Sequence, residues 1–334
     1  MTRWKMPAEW ATHERTWMAW PSNGYTLGAT EYDAMEARTT WAAVANAIVE
    51  FEPVTMLCNP ADLDVAKSFL NEDIKLVEAS LDDAWMRDIG PTFVKNESGE
   101  LGAVNWIFNG WGAQPWASWT NDSKISNQIG QLTDSTIIKS QIVNEGGAIH
   151  VNGAGVVLLT ETVQLGEGRN SDWTRENVER EVHAMLGTDK AIWLKRGLTR
   201  DYDQFGTRGH VDIVACFANE DTILFHKQEN VEHPDYEISL EVEATLRANG
   251  DFNLIPVAAP KALRDEDGFV DFSYINHYLV NGGVILCSFD DENDLRAVET
   301  MKQVYPGRKI VQIDARNLFA RGGGIHCITQ QQPQ

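Results

Sequence analysis

A strand-length apolar run, a helical stretch and a second apolar run recur five times along this chain, and that recurrence restricts its fold more than any other feature. The first copy reads 54–58, a helix over 61–70 and 74–77, and the second 103–108, a helix over 122–131 and 137–138. The third reads 155–159, a helix over 174–186 and 191–194. The fourth follows with 222–225, 237–248 and 253–257, and the fifth with 284–287, 292–304 and 309–313. Units of this kind bury their apolar faces against neighbours, and five that close in a ring leave a central channel. The expectation is one α/β domain over residues 1–334, a five-fold pseudosymmetric α/β propeller.

Each copy is followed by a polar or glycine-rich turn and an expected third strand, over 85–94, 146–151, 209–217, 274–280 and 323–329. Third strands that converge on an axis bring their turns together. The turns carry Trp85-Met86-Arg87-Asp88, Asn144-Glu145-Gly146-Gly147, Arg208-Gly209-His210-Val211-Asp212 and Gly324-Ile325-His326-Cys327. Together they supply a thiol, an imidazole and three carboxylates. Two turns also agree in letters, 146–150 with 322–326, which sets Val151 opposite Cys327.

Cys327 follows three glycines, which let backbone approach a small molecule beside the thiol. Cys58, Cys216 and Cys287 lie inside apolar runs and read as small core residues. An ordinary thiol has a pKa of about 8.5 and needs a nearby cation or base to act as a nucleophile. His210 can move that proton, with Glu145 orienting it. Asp88 and Asp212 repel each other unless a cation lies between them, and a guanidinium with five N–H donors satisfies both. Two residues apart on a strand, His210 and Asp212 share a face. Taken singly, each residue also has an ordinary reading: His210 as a structural histidine, Asp88 as the partner of Arg87, and Glu145 as a turn residue. His150 and His326 are expected to be structural. The tryptophans of the 108–119 segment are expected in a core or an interface, with the wall of a pocket as the other reading and a lid over Trp106 to Trp119 left open.

Composition narrows the partners. With 49 acidic against 28 basic side chains, the net charge of −21 repels nucleic acid and anionic lipid and attracts small cations. No apolar signal core and no stretch of 18 apolar residues is present, so a cytoplasmic protein without a membrane partner is expected. CxxC and HExxH motifs are missing, and no metal or cofactor is expected.

These residues make the chain resemble the agmatine deiminases, within the guanidine-modifying superfamily that includes the peptidyl-arginine deiminases. The likeness runs through Met6-Pro7-Ala8-Glu9-Trp10, His13 to Pro21, Asp82 to Asp88, Glu145-Gly146-Gly147, Gly209-His210-Val211-Asp212 and Gly322 to Gln332. It implies a pentein-type propeller that works without metal and forms homo-oligomers. It also implies Cys327 as nucleophile, His210 as proton donor and acceptor, Glu145 as its support, and Asp88 and Asp212 as the guanidinium clamp. Trp85, Gly323 and Arg208 would line the substrate site. The implied reaction is agmatine plus water to N-carbamoylputrescine plus ammonia, a step toward putrescine and the polyamines. Arg208, Ile213, Ala148 and Asn152 depart from the family pattern. Beside the catalytic histidine, Arg208 suits a carboxylate or nitro group, or an ion pair with Asp201 or Asp203. Other readings are nitrite release from a 2-nitroimidazole, amidino transfer to an amine, and a non-catalytic binding scaffold.

Overall fold

The computed structural model describes residues 3–334, and in it the apolar runs become strands of five small mixed sheets. Every sheet repeats one order: a strand antiparallel to a central strand, which is parallel to a third. A helix joins central strand to third strand, as parallel pairing requires a crossover. Leu101–Ile107, Ile125–Leu132 and Thr136–Val143 form one such unit, and Val156–Thr160, Arg175–Leu186 and Lys190–Leu194 another. Thr222–Lys227, Asp235–Ala248 and Asn253–Ala258 follow, then Gly283–Ser288, Asp294–Val304 and Lys309–Asp314. The central strands of these last three units are buried almost throughout, which is why they read as unbroken apolar runs.

Two features of the repeat differ from expectation. The strand after each unit does not return to it but opens the next sheet: Thr92–Asn96 pairs with Leu101–Ile107. The last, Gln330–Pro333, pairs with His13–Ala19, so both ends of the chain share a sheet. The first unit is also earlier than 54–77. His13–Ala19 is its central strand, the helix Glu31–Ile48 its crossover and Val54–Cys58 its third strand, while Lys75–Glu78 is an added edge. Polar residues hide that central strand. His13 and Thr16 are buried on the Glu52 carboxylate, with Thr16 Oγ1 donating at 2.6 Å and His13 Nδ1 at 3.0 Å.

The long helix starts at a capping box in which Thr30 and Asp33 satisfy each other's backbone N–H groups. It buries Trp41, Val44, Ala45 and Ile48 against the first sheet's side of the core, and full burial of Val44 or Ile48 is worth about 1.5–3 kcal/mol each. A second, smaller cluster joins Met6, Val104, Trp106, Val182 and Trp193. No helix among the described residues is long and apolar enough to cross a membrane.

The polar turns are not strand segments either. Met86–Ile89 is one helical turn, and Gly146–Ala148, Val211–Ile213 and His326–Ile328 are single 3-10 turns. Their strands begin later, at Thr92, His150, Ala215 and Gln330. His210 and Asp212 therefore owe their proximity to a tight turn rather than to strand alternation. The register by letters fails for the same reason: Val151 is a strand residue paired with Val157, and the turn residue equivalent to Cys327 is Gly147.

Candidate active site

Gly147, Asp212 and Cys327 are the middle residues of their three 3-10 turns. Gly147 has no side chain because its neighbours occupy that space. A Cβ there would lie 2.5 Å from His210 Nδ1 and 3.1 Å from an oxygen of both Asp212 and Asp88. Its N–H donates to Asp88 Oδ1 at 3.0 Å. Gly323 behaves alike, with Trp85 at 2.6 Å and Cys327 Sγ at 3.0 Å from its missing Cβ. The glycines thus serve the close approach of the protein's own side chains.

Cys327 Sγ accepts from Asn276 Nδ2 at 3.3 Å and from the Gly324 N–H at 3.4 Å, and lies 3.6 Å from Asp212 Oδ2. Burial, then the charges of Asp212 and Asp88, push its thiol well above the ordinary range. The expected depression by neighbouring cations is reversed, because acids outnumber cations around the sulfur. Cys58 and Cys287, also buried, are pushed up to about 12 chiefly by burial. Cys58 and Cys287 donate to backbone carbonyls, whereas Cys327 Sγ accepts N–H donors and faces a carboxylate.

His210 Nε2 meets Glu145 Oε2 at 3.3 Å, and Nδ1 stands 3.9 Å from Asp88 Oδ1. Burial opposes charge on this ring, but Asp88, Glu145 and Asp212 outweigh it and raise the imidazole to about 9. The buried carboxylate of Glu145 is itself paired with Arg169, whose Nε donates at 3.0 and 3.1 Å. Against burial, Arg169 and His210 keep Glu145 below the usual carboxylate range. Asp88 accepts from Trp111 Nε1 at 2.8 Å, and burial with the Glu145 and Asp212 charges leaves it raised despite His210.

Asp212 Oδ2 accepts from His326 Nδ1 at 2.8 Å, and His326 Nε2 meets Glu9 Oε2 at 2.9 Å. Burial would raise Asp212, but the His326 bond and charge hold it low. His326 is therefore part of the constellation, contrary to a purely structural role. His150 keeps the structural role expected of it, accepting from the Phe217 N–H at 3.2 Å. Donor atoms of Glu9, His150 and His326 lie within 4.8 Å of one another, a spacing that a metal ion tolerates. Here both nitrogens of His326 are taken by carboxylates, which favours a hydrogen-bond network.

Arg208 is exposed at φ 70°, and its Nη2 donates to Gln114 Oε1 at 3.1 Å. Of the ion pairs weighed for it, with Asp201 or Asp203, the one with Asp201 does not form, since that carboxylate accepts the N–H groups of Thr207, Gly209 and His210. Trp106 packs in the second core, but Trp111 reaches the site. Trp111 stacks on Trp116, and Trp116 and Phe205 both pack against Tyr25, forming an aromatic roof.

All the residues singled out in the turns, Asp88, Glu145, His210, Asp212 and Cys327, thus meet in one buried cluster with Trp85 and Gly323 beside the thiol. Sequence reasoning missed Asn276, Arg169, Trp111 and Glu9. Asn276 had a signal, because it sits just before the strand Tyr278–Val280, in the fourth turn of the series. The others stand outside the turns. Three buried polar atoms of this cluster have no protein partner: Trp85 Nε1, His210 Nδ1 and Asp212 Oδ1. Buried polar atoms are ordinarily paired, and here the unpaired ones stand beside a thiol and two carboxylates.

Comparison with known proteins agrees in extent and kind. Residues 5–333 match the Porphyromonas-type peptidyl-arginine deiminase family. A Streptomyces coelicolor protein provisionally named agmatine deiminase is 53% identical over 99% of each chain. The agmatine deiminase of Ectopseudomonas mendocina is 36% identical, covering 98% of this chain and 95% of its own. The solved agmatine deiminase of Enterococcus faecalis superposes with a TM-score of 0.92 at 29% identity, covering 99% of this chain and 96% of that one. The chain belongs to the Porphyromonas-type peptidyl-arginine deiminase family, in its agmatine deiminase branch.

Proposed function

We propose that this protein is an agmatine deiminase, a cysteine hydrolase that converts agmatine and water to N-carbamoylputrescine and ammonia. The observation that carries this reading is a pair of buried carboxylates beside a thiol, one of which keeps an oxygen that no protein donor satisfies. Asp212 Oδ1 is a buried acceptor without a donor, Asp212 Oδ2 and Asp88 Oδ1 both face Gly147, and Cys327 Sγ is 3.6 Å from Asp212 Oδ2. A guanidinium brings planar N–H donors and one positive charge, which is what two buried acids lack. The roof of Trp111, Trp116, Phe205 and Tyr25 suits a small molecule better than a peptide chain.

In the resting site the raised thiol stays protonated. The substrate's charge offsets Asp88 and Asp212, so binding of the guanidinium releases the thiol proton to solvent and leaves thiolate, which takes a proton back when the product departs. Sγ attacks the central carbon. His210, cationic at neutral pH, donates its proton to one nitrogen, the C–N bond breaks and ammonia departs. The remaining thiouronium cation is held by the same acids. His210, now neutral, takes a proton from water, whose oxygen bonds to carbon. The C–S bond then breaks, returning thiolate, and the hydroxyl proton passes to solvent as the ureido product forms. Arg169 fixes Glu145, and Glu145 fixes His210.

The same reading takes the five sheets as one closed five-fold pentein domain, supported by the shared sheet of the two chain ends and the turns facing one place. It places the enzyme in the cytoplasm as a homo-oligomer that uses no metal or cofactor. The test is turnover of agmatine with ammonia and N-carbamoylputrescine quantified, followed by acid quench and mass measurement of the Cys327 peptide. The expected adduct carries the amidino carbon of agmatine, and Cys327→Ser abolishes both adduct and ammonia. Nitrite from a 2-nitroimidazole, or product only when an amine acceptor is supplied, would replace this assignment. Absence of turnover on any guanidine would overturn it.

A further inference from the structure

We propose that His326 and Glu9 are positioning residues for Asp212: a doubly hydrogen-bonded imidazolium, anchored by the N-terminal segment, fixes the orientation and the negative charge of the carboxylate that receives the guanidinium. The inference rests on the role given to Asp212 above.

The geometry is stringent. His326 Nδ1 is 2.8 Å from Asp212 Oδ2 and its Nε2 is 2.9 Å from Glu9 Oε2, all of them buried. A neutral imidazole has one N–H and cannot donate to two carboxylates, so the ring that satisfies both is the cation. Glu9 is anchored in turn. Its Oε1 accepts the Leu279 N–H at 2.9 Å, and its carbonyl accepts from His13 Nε2 at 2.8 Å. The ring's own backbone is held at both ends, the N–H by Asn276 Oδ1 at 3.0 Å and the carbonyl by Arg87 Nε at 3.2 Å.

The consequence falls on Asp212. With Oδ2 tied to His326, the carboxylate cannot rotate, and Oδ1 is left as a buried acceptor without a protein donor. The same Oδ2 lies 3.6 Å from Cys327 Sγ, and the N–H it accepts from His326 makes it a weaker acceptor for the thiol proton. The charged and titratable groups facing the pair come from every adjoining element: Glu9, Arg87, Asp88 and His210, the Cys327 thiol, and His150 and His277 alongside. Burial depresses His150 to about 3 and lowers His277, so these two rings are neutral neighbours and His326 carries the charge. This gives the Met6-Pro7-Ala8-Glu9-Trp10 segment, otherwise remote from the chemistry, a place in the site.

Two measurements test the proposal. Long-range nitrogen-proton spectra of histidine-labelled enzyme, assigned with His326→Gln, are expected to show both His326 nitrogens protonated at pH 7.5. A single protonated nitrogen overturns the proposal, and this readout is independent of turnover. Steady-state kinetics of Glu9→Gln, which keeps the size and removes the charge, supply the second. KM for the guanidine is expected to rise about tenfold, by analogy with the loss of outer-sphere partners. Removing the charge weakens the imidazolium, Asp212 becomes more basic, and the acid limb of kcat/KM moves to higher pH by about one unit. A folded Glu9→Gln enzyme, matched in thermal midpoint, whose KM and acid limb superimpose on wild type overturns the proposal. If the wild-type enzyme turns over no guanidine, the proposed function fails, and the nitrogen spectra still decide the state of His326.

Discussion

His210 is a buried cation among carboxylates, so its charge contributes to folding as well as to proton transfer. Its imidazole rises from 6.5 to about 9 in the folded state, where Asp88, Glu145 and Asp212 outweigh burial. A group raised on folding contributes fully below its unfolded value and loses that contribution as pH climbs through the folded one. The window here runs from 6.5 to about 9, and the amount at stake is at most about 3 kcal/mol. Urea unfolding of the wild type between pH 6 and 10 is expected to show stability falling across that window. His210→Gln, compared with wild type, is expected to give a flatter curve there; parallel curves would remove His210 as the cause. At this scale much of the site was legible. Cys327, His210, Glu145, Asp88 and Asp212 stood out because reactive residue types cluster in turns at equivalent points of a repeat. Arg169 and Glu9 were not legible, since each acts through a partner far along the chain, 24 residues from Glu145 and 317 from His326. Charge pairing at such separations leaves no local pattern.

The elements between the strands hold a strained segment at the site. Gly110, Trp111, Gly112 and Ala113 all have φ between 55° and 90°, a left-handed turn that costs non-glycine residues roughly 1–2 kcal/mol apiece. The turn aims Trp111 at Asp88, and Gly168 packs so closely on Gly112 that its missing Cβ would lie 2.2 Å from the Gly112 carbonyl oxygen. Such strain persists where the surroundings hold it. Ala113 is exposed and tests it cleanly. Ala113→Gly is expected to raise unfolding free energy by about 0.5 kcal/mol, the relief of strain less the added chain entropy. Ala113→Val, with its β-branch, is expected to lower it by about 1–2 kcal/mol and to reduce kcat by displacing Trp111. Equal stability of the two variants would show that the turn stores no strain. Nothing in the letters around Trp111 separated this segment from core packing, because a left-handed run of four is fixed by tertiary contacts. Four of the five repeat units, with their crossover helices, were legible from apolar periodicity. The first unit was not, because His13, Thr16 and Glu52 bury a polar network where the other units bury aliphatic side chains.

For the whole molecule the decisive quantity is charge. A net −21 spread over one chain sets up a negative field that salt screens within about 8 Å at physiological ionic strength. Agmatine carries two positive charges, its guanidinium and its distal ammonium, so the field raises its local concentration and its encounter rate. The chemical steps occur among buried groups that salt screens little. Raising sodium chloride from 10 to 500 mM is therefore expected to lower kcat/KM for agmatine about tenfold while leaving kcat nearly unchanged. An alkylguanidine of similar length without the ammonium carries half the charge, and its logarithmic salt slope is expected to be about half as steep. Capture by the field alone makes the slope follow charge number, whatever groups line the entrance. A cationic contact such as Arg208 at the rim, close to the path of the ammonium, would flatten the agmatine slope toward that of the alkylguanidine. Arg208→Ala separates the two cases: a steeper agmatine slope in the variant assigns the rim a repulsive part, and an unchanged slope leaves the global field as the sole source of steering.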